Sequence, residues 1–201
     1  MVRPARRDFL ATTPGLLLLN CSGNAPQKAI EKPPEPVTGL HALYQMHTFA
    51  TTWAQDLKVV RLSSMNVAEV KAVPGKAAAW QARFSSAALG QTRAYTFSVY
   101  DESATLRQGI FADPAGPLSA SIRSFVIGDA TTDSDTALEI SLAHGQKYSA
   151  GHPDMPVSFI LEGDHQTAAP VWRVIWGLSA TRSEFSVLVD AHAGTWLRTF
   201  S

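Results

Sequence analysis

"FSVLVDAHAGTWLRTF", residues 185–200, alternates apolar and other residues up to Asp190, crosses a short stretch containing Gly194, and continues into an aromatic-rich run. Two period-two runs about a glycine-containing connection read as an antiparallel hairpin. Gly194 supplies a positive φ without steric cost, and the Asp190 carboxylate can accept hydrogen bonds from the turn backbone. Turn chemistry accounts for both residues; a ligand-binding role is the alternative reading.

Working back from this hairpin, "PVWRVIWGL" (170–178) and "PVSFILEGD" (156–164) read as strands. "TTDSDTALEISLAHG" (131–145) reads as a helix, with cap candidates from Asp133 to Thr136, a capping box formed by Thr136 and Glu139, and Gly145 and Gly151-His152-Pro153 ending or following it. The same order occurs earlier. "TGLHALYQMHTFATTWAQD" (38–56) places Leu40, Leu43, Tyr44, His47, Ala50, Trp53 and Ala54 at helical steps, with Thr38 as cap. Strands are then expected at 57–62, at 77–87 with Ala78, Trp80, Ala82 and Phe84 on one face, at 92–101, and around Leu106, Ile110 and Phe111. Residues 121–130 read as a connecting strand or loop. The expected fold class is α+β: helix and meander over 38–130, then helix and meander over 131–201. "TRAYTFSVYD" (92–101) has an echo in "TRSEFSVLVD" (181–190). Only the alignment of Phe97 with Phe185 keeps the side chains on matching faces.

Composition bounds the function. The chain has 201 residues, 45% of them hydrophobic, and 17 basic against 17 acidic residues. Such neutrality gives no global attraction to nucleic acid or to an anionic membrane. A single cysteine excludes an intramolecular disulfide and a cysteine-cluster metal site. No catalytic constellation is found. His41 and His47 are six apart and diverge by roughly 120° on a helix. "GLSAT" (177–181) lacks the second glycine of a nucleophile elbow. Gly75-Lys76 has Val70 where a phosphate loop needs glycine. Asp129, Asp133, Asp135 and Glu139 lack a calcium-loop glycine and fit a helix N-terminus better. No metal, cofactor or catalytic residue is therefore assigned.

The start, "MVRPARRDFLATTPGLLLLNCSG", has a basic region at Arg3, Arg6 and Arg7 and 12 residues of apolar character from Phe9 to Asn20. That is short of the roughly 20 residues of a membrane span and fits a signal h-region. The Pro- and charge-rich stretch that follows Cys21 reads as a flexible tether over 21–37. The layout resembles a bacterial lipoprotein signal, and Arg6, Arg7, Phe9 and Leu10 resemble the twin-arginine export signature. The resemblance implies removal of residues 1–20, lipidation of Cys21 and a periplasmic or cell-surface location. Membrane contact would run through the lipid alone. The alternative is an N-terminus in which Cys21 is incidental. Removal would take away three arginines and one aspartate, leaving 14 basic and 16 acidic residues.

Residues 131–200 also resemble a PepSY domain. The likeness rests on Thr136–Ile140 at a helix start, the strand at Trp172-Arg173-Val174, and the ending Val187–Gly194. It implies a cystatin-like fold here and, with the repeated order that the first unit matches in outline, two tandem cystatin-like units; it also implies a role in peptidase inhibition or envelope interaction, with no catalytic residues to carry over. In "VWRVIW", Trp172, Val174 and Trp176 share one face while Val171 and Ile175 make the other apolar too, which requires cover on both sides. Packing against the first unit is one account; a partner surface is the other.

The expected function is a non-enzymatic envelope binding or inhibitory module whose partner is an envelope protein or peptide. Its anchors would be whichever of Trp53, Trp172, Trp176 and Trp196 are exposed. The alternatives are a small-ligand carrier with a pocket lined by Trp80, Phe84, Tyr95 or Trp172 between helix and curved sheet, and a hydrolase of unassigned type.

Overall fold

The computed structural model describes residues 35–101, 106–177 and 183–201. Arg6, Arg7, Phe9, Leu10 and Cys21, expected as export signal and anchor, lie outside these.

The chain order is β1 (Val37–Thr38), α1 (Gly39–Ala50), β2 (Lys58–Met65), β3 (Lys76–Ala77), β4 (Ala79–Ser86), β5 (Gln91–Ser98), β6 (Gly109–Ala112) and β7 (Gly116–Pro117). A 3₁₀ turn at Ile127–Asp129 leads to α2 (Ser134–Gly151), β8 (Val157–Gly163), β9 (Pro170–Trp176), β10 (Phe185–Asp190) and β11 (Thr195–Phe200). The architecture is α+β. Among the described residues, β1 and β3 make a small ribbon, and nine strands make one antiparallel sheet in the order β11-β10-β9-β8-β2-β4-β5-β6, with β7 on β5.

Each helix thus precedes a meander, and the two meanders join edge to edge. Arg61, Leu62 and Ser63 of β2 pair with Glu162, Leu161 and Ile160 of β8. One main core runs across the join. It holds Leu43 and Met46 of α1, Trp80 and Phe84 of β4, Ala137 and Leu138 of α2, and Trp172 and Val187 of the second meander. The period-two faces explain the packing. Trp80, Ala82 and Phe84 are fully buried, as their alternation predicts. Phe97 and Phe185 both belong to the layer beneath the helices.

The structure corrects several expectations. Both faces of β9 are buried, and packing on the first unit covers one of them: Trp172, Val174 and Trp176 lie in the shared core, where Trp172 meets Trp80 of β4. Val171 and Ile175, on the other face, belong to neither core cluster, and the meanders meet by strand pairing. In register, Ile175 is flanked by Ser158 and Ser186. Arg173, on the same face, donates from Nε to Ser186 Oγ at 3.1 Å and lies over the Phe200 ring. The tether stops short of 37, because Val37 and Thr38 are paired with Ala77 and Lys76.

Of the two expected stops, helix α2 passes Gly145 and ends at Gly151, with His152 as its C-cap. Gly145 is non-helical (φ −121°, ψ 15°) and marks a kink within the element. A Cβ there would stand 2.8 Å from Phe185 Cε1, so glycine lets the helix pass over β10. Asp133 is the N-cap, accepting from Ser134 N at 2.7 Å, so Thr136 and Glu139 form no capping box.

Thr38 precedes α1 without a side-chain cap bond. Its place is taken from a distance: Gly39 N donates to Ser134 Oγ and Leu40 N to Asp133 Oδ1, both at 2.8 Å. Asp133 therefore caps both helices, and Ser134 adds a second bond to the start of α1. This cross-capping satisfies orphan amides that a local serine or aspartate would usually serve. Ser134 Oγ also donates to Gly75 O at 2.6 Å, tying in the loop before β3.

The closing hairpin anchors this junction. Asp190 Oδ1 accepts from His192 N and Ala193 N, both at 2.8 Å, and Gly194 has φ +64°. The turn then accepts Thr131 N and Thr132 N at Ala191 O. Trp172 Nε1 donates to Thr132 O at 2.7 Å. Asp190 and Gly194 thus hold the approach to α2 in place. Gly194→Val should lower the unfolding free energy by about 1–3 kcal/mol, the cost of a branched side chain at positive φ. Urea unfolding measures this, and an unchanged midpoint would contradict the strain argument.

Candidate binding surface

Of the four tryptophans offered as anchors, two are out of reach. Trp172 is fully buried and Trp176 is 2% exposed. Trp53 is half-buried against the main core, in the turn that ends α1. Trp196 is 43% exposed. The reason is register. β11 pairs with β10 through a bulge between Leu188 and Val189, with Val189 opposite Trp196 and Leu188 opposite Arg198. Trp196 therefore lies on the helix side of the sheet, but at its outermost strand, where no further strand pairs among the described residues.

The bulge distributes the exposed residues over both faces of β11. Trp196 stacks on His144 of α2 with centroids 4.7 Å apart and planes 13° apart, and its Nε1 donates to Thr199 Oγ1 at 3.1 Å. Phe200, on the opposite face, has the Arg173 and Arg198 guanidinium groups over its ring at 5.7 and 5.3 Å. All six residues of the strand are exposed.

A second aromatic group continues along α2. Tyr148 is stacked between His152, at 4.2 Å, and Phe185, at 4.5 Å. Its hydroxyl donates to Glu184 Oε2 at 3.3 Å. Partial desolvation, and then the Glu184 charge, make that hydroxyl harder to ionise than an ordinary tyrosine. Between these groups lies a cleft of about 390 Å³ lined by His144, Lys147, Tyr148, His152 and Phe185. Of this group, the sequence points only to Trp196. The signal for the others is their spacing: His144, Tyr148 and His152 recur at four-residue steps, which places them on one face of a helix.

The other expected sites resolve differently. Trp80, Phe84, Tyr95 and Trp172 line no carrier pocket, because they fill the space between helices and sheet; Trp80, Phe84 and Trp172 are 0% exposed and Tyr95 1%. Edge-to-face contacts join Trp80 to Trp172 and Phe84 to Tyr95. His47 packs edge-on against Phe84, and burial lowers its proton affinity. Asp133 and Asp135 spend carboxylate oxygens on helix-start amides. Among the described residues no three His, Cys, Asp or Glu side chains converge as a metal set. A separate cavity of about 740 Å³ opens between the loop before β3, α2 and the start of β8.

No family model and no curated protein matches the chain. A solved structure does match: that of a candidate lipoprotein from Clostridium difficile 630, at TM-score 0.53 over 85% of this chain and 95% of that one. The fold is shared. Identity is 13%, so the likeness concerns architecture alone. Among the described residues, neither helix is long and apolar enough to cross a membrane.

Proposed function

We propose that this chain is an exported, lipid-anchored, non-enzymatic binding or inhibitory module that engages an envelope protein or peptide through β11 and the adjoining face of α2. The observation that carries the reading is the open edge of the sheet. β11 presents Trp196, Leu197 and Phe200, each 43% exposed, beside an aromatic cleft. An extended partner can add a strand to such an edge through main-chain hydrogen bonds, while aromatic anchors supply affinity. The closed helix-to-sheet core supports a surface mode over an internal carrier pocket at Trp80 and Trp172. The repeated helix–meander order supports two tandem PepSY-like, cystatin-like units, at 38–130 and 131–201, fused along β2 and β8. The Cys21 layout and the lipoprotein character of the fold neighbour support the anchor.

Two experiments test the parts separately. In the native host, Cys21→Ser should move the full chain from membrane to soluble fractions; a wild-type protein already soluble refutes the anchor. Trp196→Ala should weaken partner binding by about 30-fold, the equivalent of roughly 2 kcal/mol for a central aromatic anchor. Leu89→Ala, at an exposed position on the β4–β5 turn, should leave binding unchanged. Equal binding by all three proteins contradicts the surface assignment.

A further inference from the structure

The cavity of about 740 Å³ lies in the seam between the two halves. Met65, Val70 and Val73 line it from the first half, and Leu138, Phe159 and Trp176 from the second. We propose that it binds a long-chain carboxylate, with one alkyl chain along the seam and its head group at Lys71 and Lys76. This goes beyond the partner surface on β11 and is independent of it.

The walls dictate the chain. Its deep residues are apolar: Phe159 and Trp176 are 2% exposed and Leu138 6%. Each serine hydroxyl that lines it already bonds to the backbone, and the neutral polar side chain Asn66 is exposed. Ser64 Oγ accepts from Phe159 N at 2.9 Å, Ser158 Oγ donates to Gly177 O at 2.8 Å, and Ser149 Oγ donates to Gln146 O at 3.2 Å. A ligand gains little by bringing polar groups inside, and loses their hydration if it does. The volume falls within the ordinary range for small-ligand sites, about 300–1,000 Å³. Met65 and Met155 give the walls the adaptability that suits a flexible chain.

The rim dictates the head group. Charged and titratable lining residues are all exposed: Lys71, Lys76, His152 and Asp154. Two ammonium groups face one carboxylate, so the mouth favours an anion. Among the described residues neither lysine is in an ion pair. Lysines are flexible point charges and suit a small carboxylate. A phosphate site would more often recruit an arginine fork or free amides at a helix N-terminus. No arginine lines this cavity, and the N-terminus of α2 is taken by its own cap, Asp133.

The test uses the purified full chain and sodium myristate below its micellar concentration, followed by titration calorimetry. Saturable binding of one myristate per chain is expected. The double variant Lys71→Gln/Lys76→Gln should weaken it about tenfold, since a charge-assisted contact is lost. Replacing myristate by its uncharged methyl ester should have a similar effect. Leu142→Trp, at a 39%-exposed lining residue, should obstruct the chain and weaken binding without disturbing the core. Trp196→Ala should change nothing. Absence of saturable myristate binding overturns the proposal. So does binding that is indifferent to both the lysine and the Leu142 changes. A lysophosphatidylglycerol that outcompetes myristate overturns the carboxylate assignment.

Discussion

Trp172→Ala should lower the free energy of unfolding by about 3–5 kcal/mol, the range for deleting a large buried aromatic side chain. Trp172 is 0% exposed and belongs to the main core that runs across both halves. Its ring meets Trp80 at 6.4 Å and Phe159 at 6.5 Å, both edge to face. It also lies under the first residue of α1, where a Cβ on Gly39 would come within 2.5 Å of Trp172 Cη2. The indole joins three layers: α1 above, β4 and β8 beside it, and Thr132 through its Nε1 hydrogen bond. Trp172→Phe should recover most of the packing but leave the Thr132 carbonyl without that donor, a loss of about 1–3 kcal/mol. Guanidinium unfolding followed by circular dichroism measures both. A loss below about 1 kcal/mol for the alanine variant would contradict the place of this residue in the main core.

Gly75→Ala should cost about 2–4 kcal/mol, well above the usual effect of adding one methyl group at a loop position. Gly75 has φ +72°, and an added Cβ would overlap the backbone of Asp135 at the start of α2. Its carbonyl receives the Ser134 hydroxyl that also accepts from Gly39 N. Moving the loop therefore disturbs the Ser134 hydroxyl that caps α1. Gly90 is the control. It has a similar φ of +62° but open space around its Cα. Gly90→Ala should lose only the conformational term, about 1 kcal/mol. Equal losses at the two positions would show that the contact with α2 contributes nothing.

Local chemistry made much of the fold legible. The alternation of Trp80, Ala82 and Phe84, the helical spacing of Leu40, Leu43 and Ala50, and the Asp190–Gly194 turn each follow from one short window of sequence. Contacts across the chain were not legible. Nothing near Thr38 reveals that residues 93 and 95 positions away supply the cap of α1. The stop at Gly151 is legible, but the kink at Gly145 is not, because its reason, the Phe185 ring beneath it, lies on a distant strand. Strand order was equally hidden. Whether two meanders stack or join at their edges depends on β2 meeting β8, which no periodicity encodes. The candidate surface was half legible for the same reason. Alternation marks tryptophans as apolar-facing, yet only the bulge and the outermost position of β11 separate the exposed Trp196 from the buried Trp172 and Trp176.

Site-specific photo-crosslinking in the native host tests the claim that β11 is the working surface most directly. A photoreactive residue is placed in the full chain at position 196 and, separately, at position 89, both exposed. The account predicts one dominant envelope-protein adduct from position 196, lost on Phe200→Ala, and none from position 89. The same adduct from both positions, or none from position 196 in cells that contain the full chain, would contradict it.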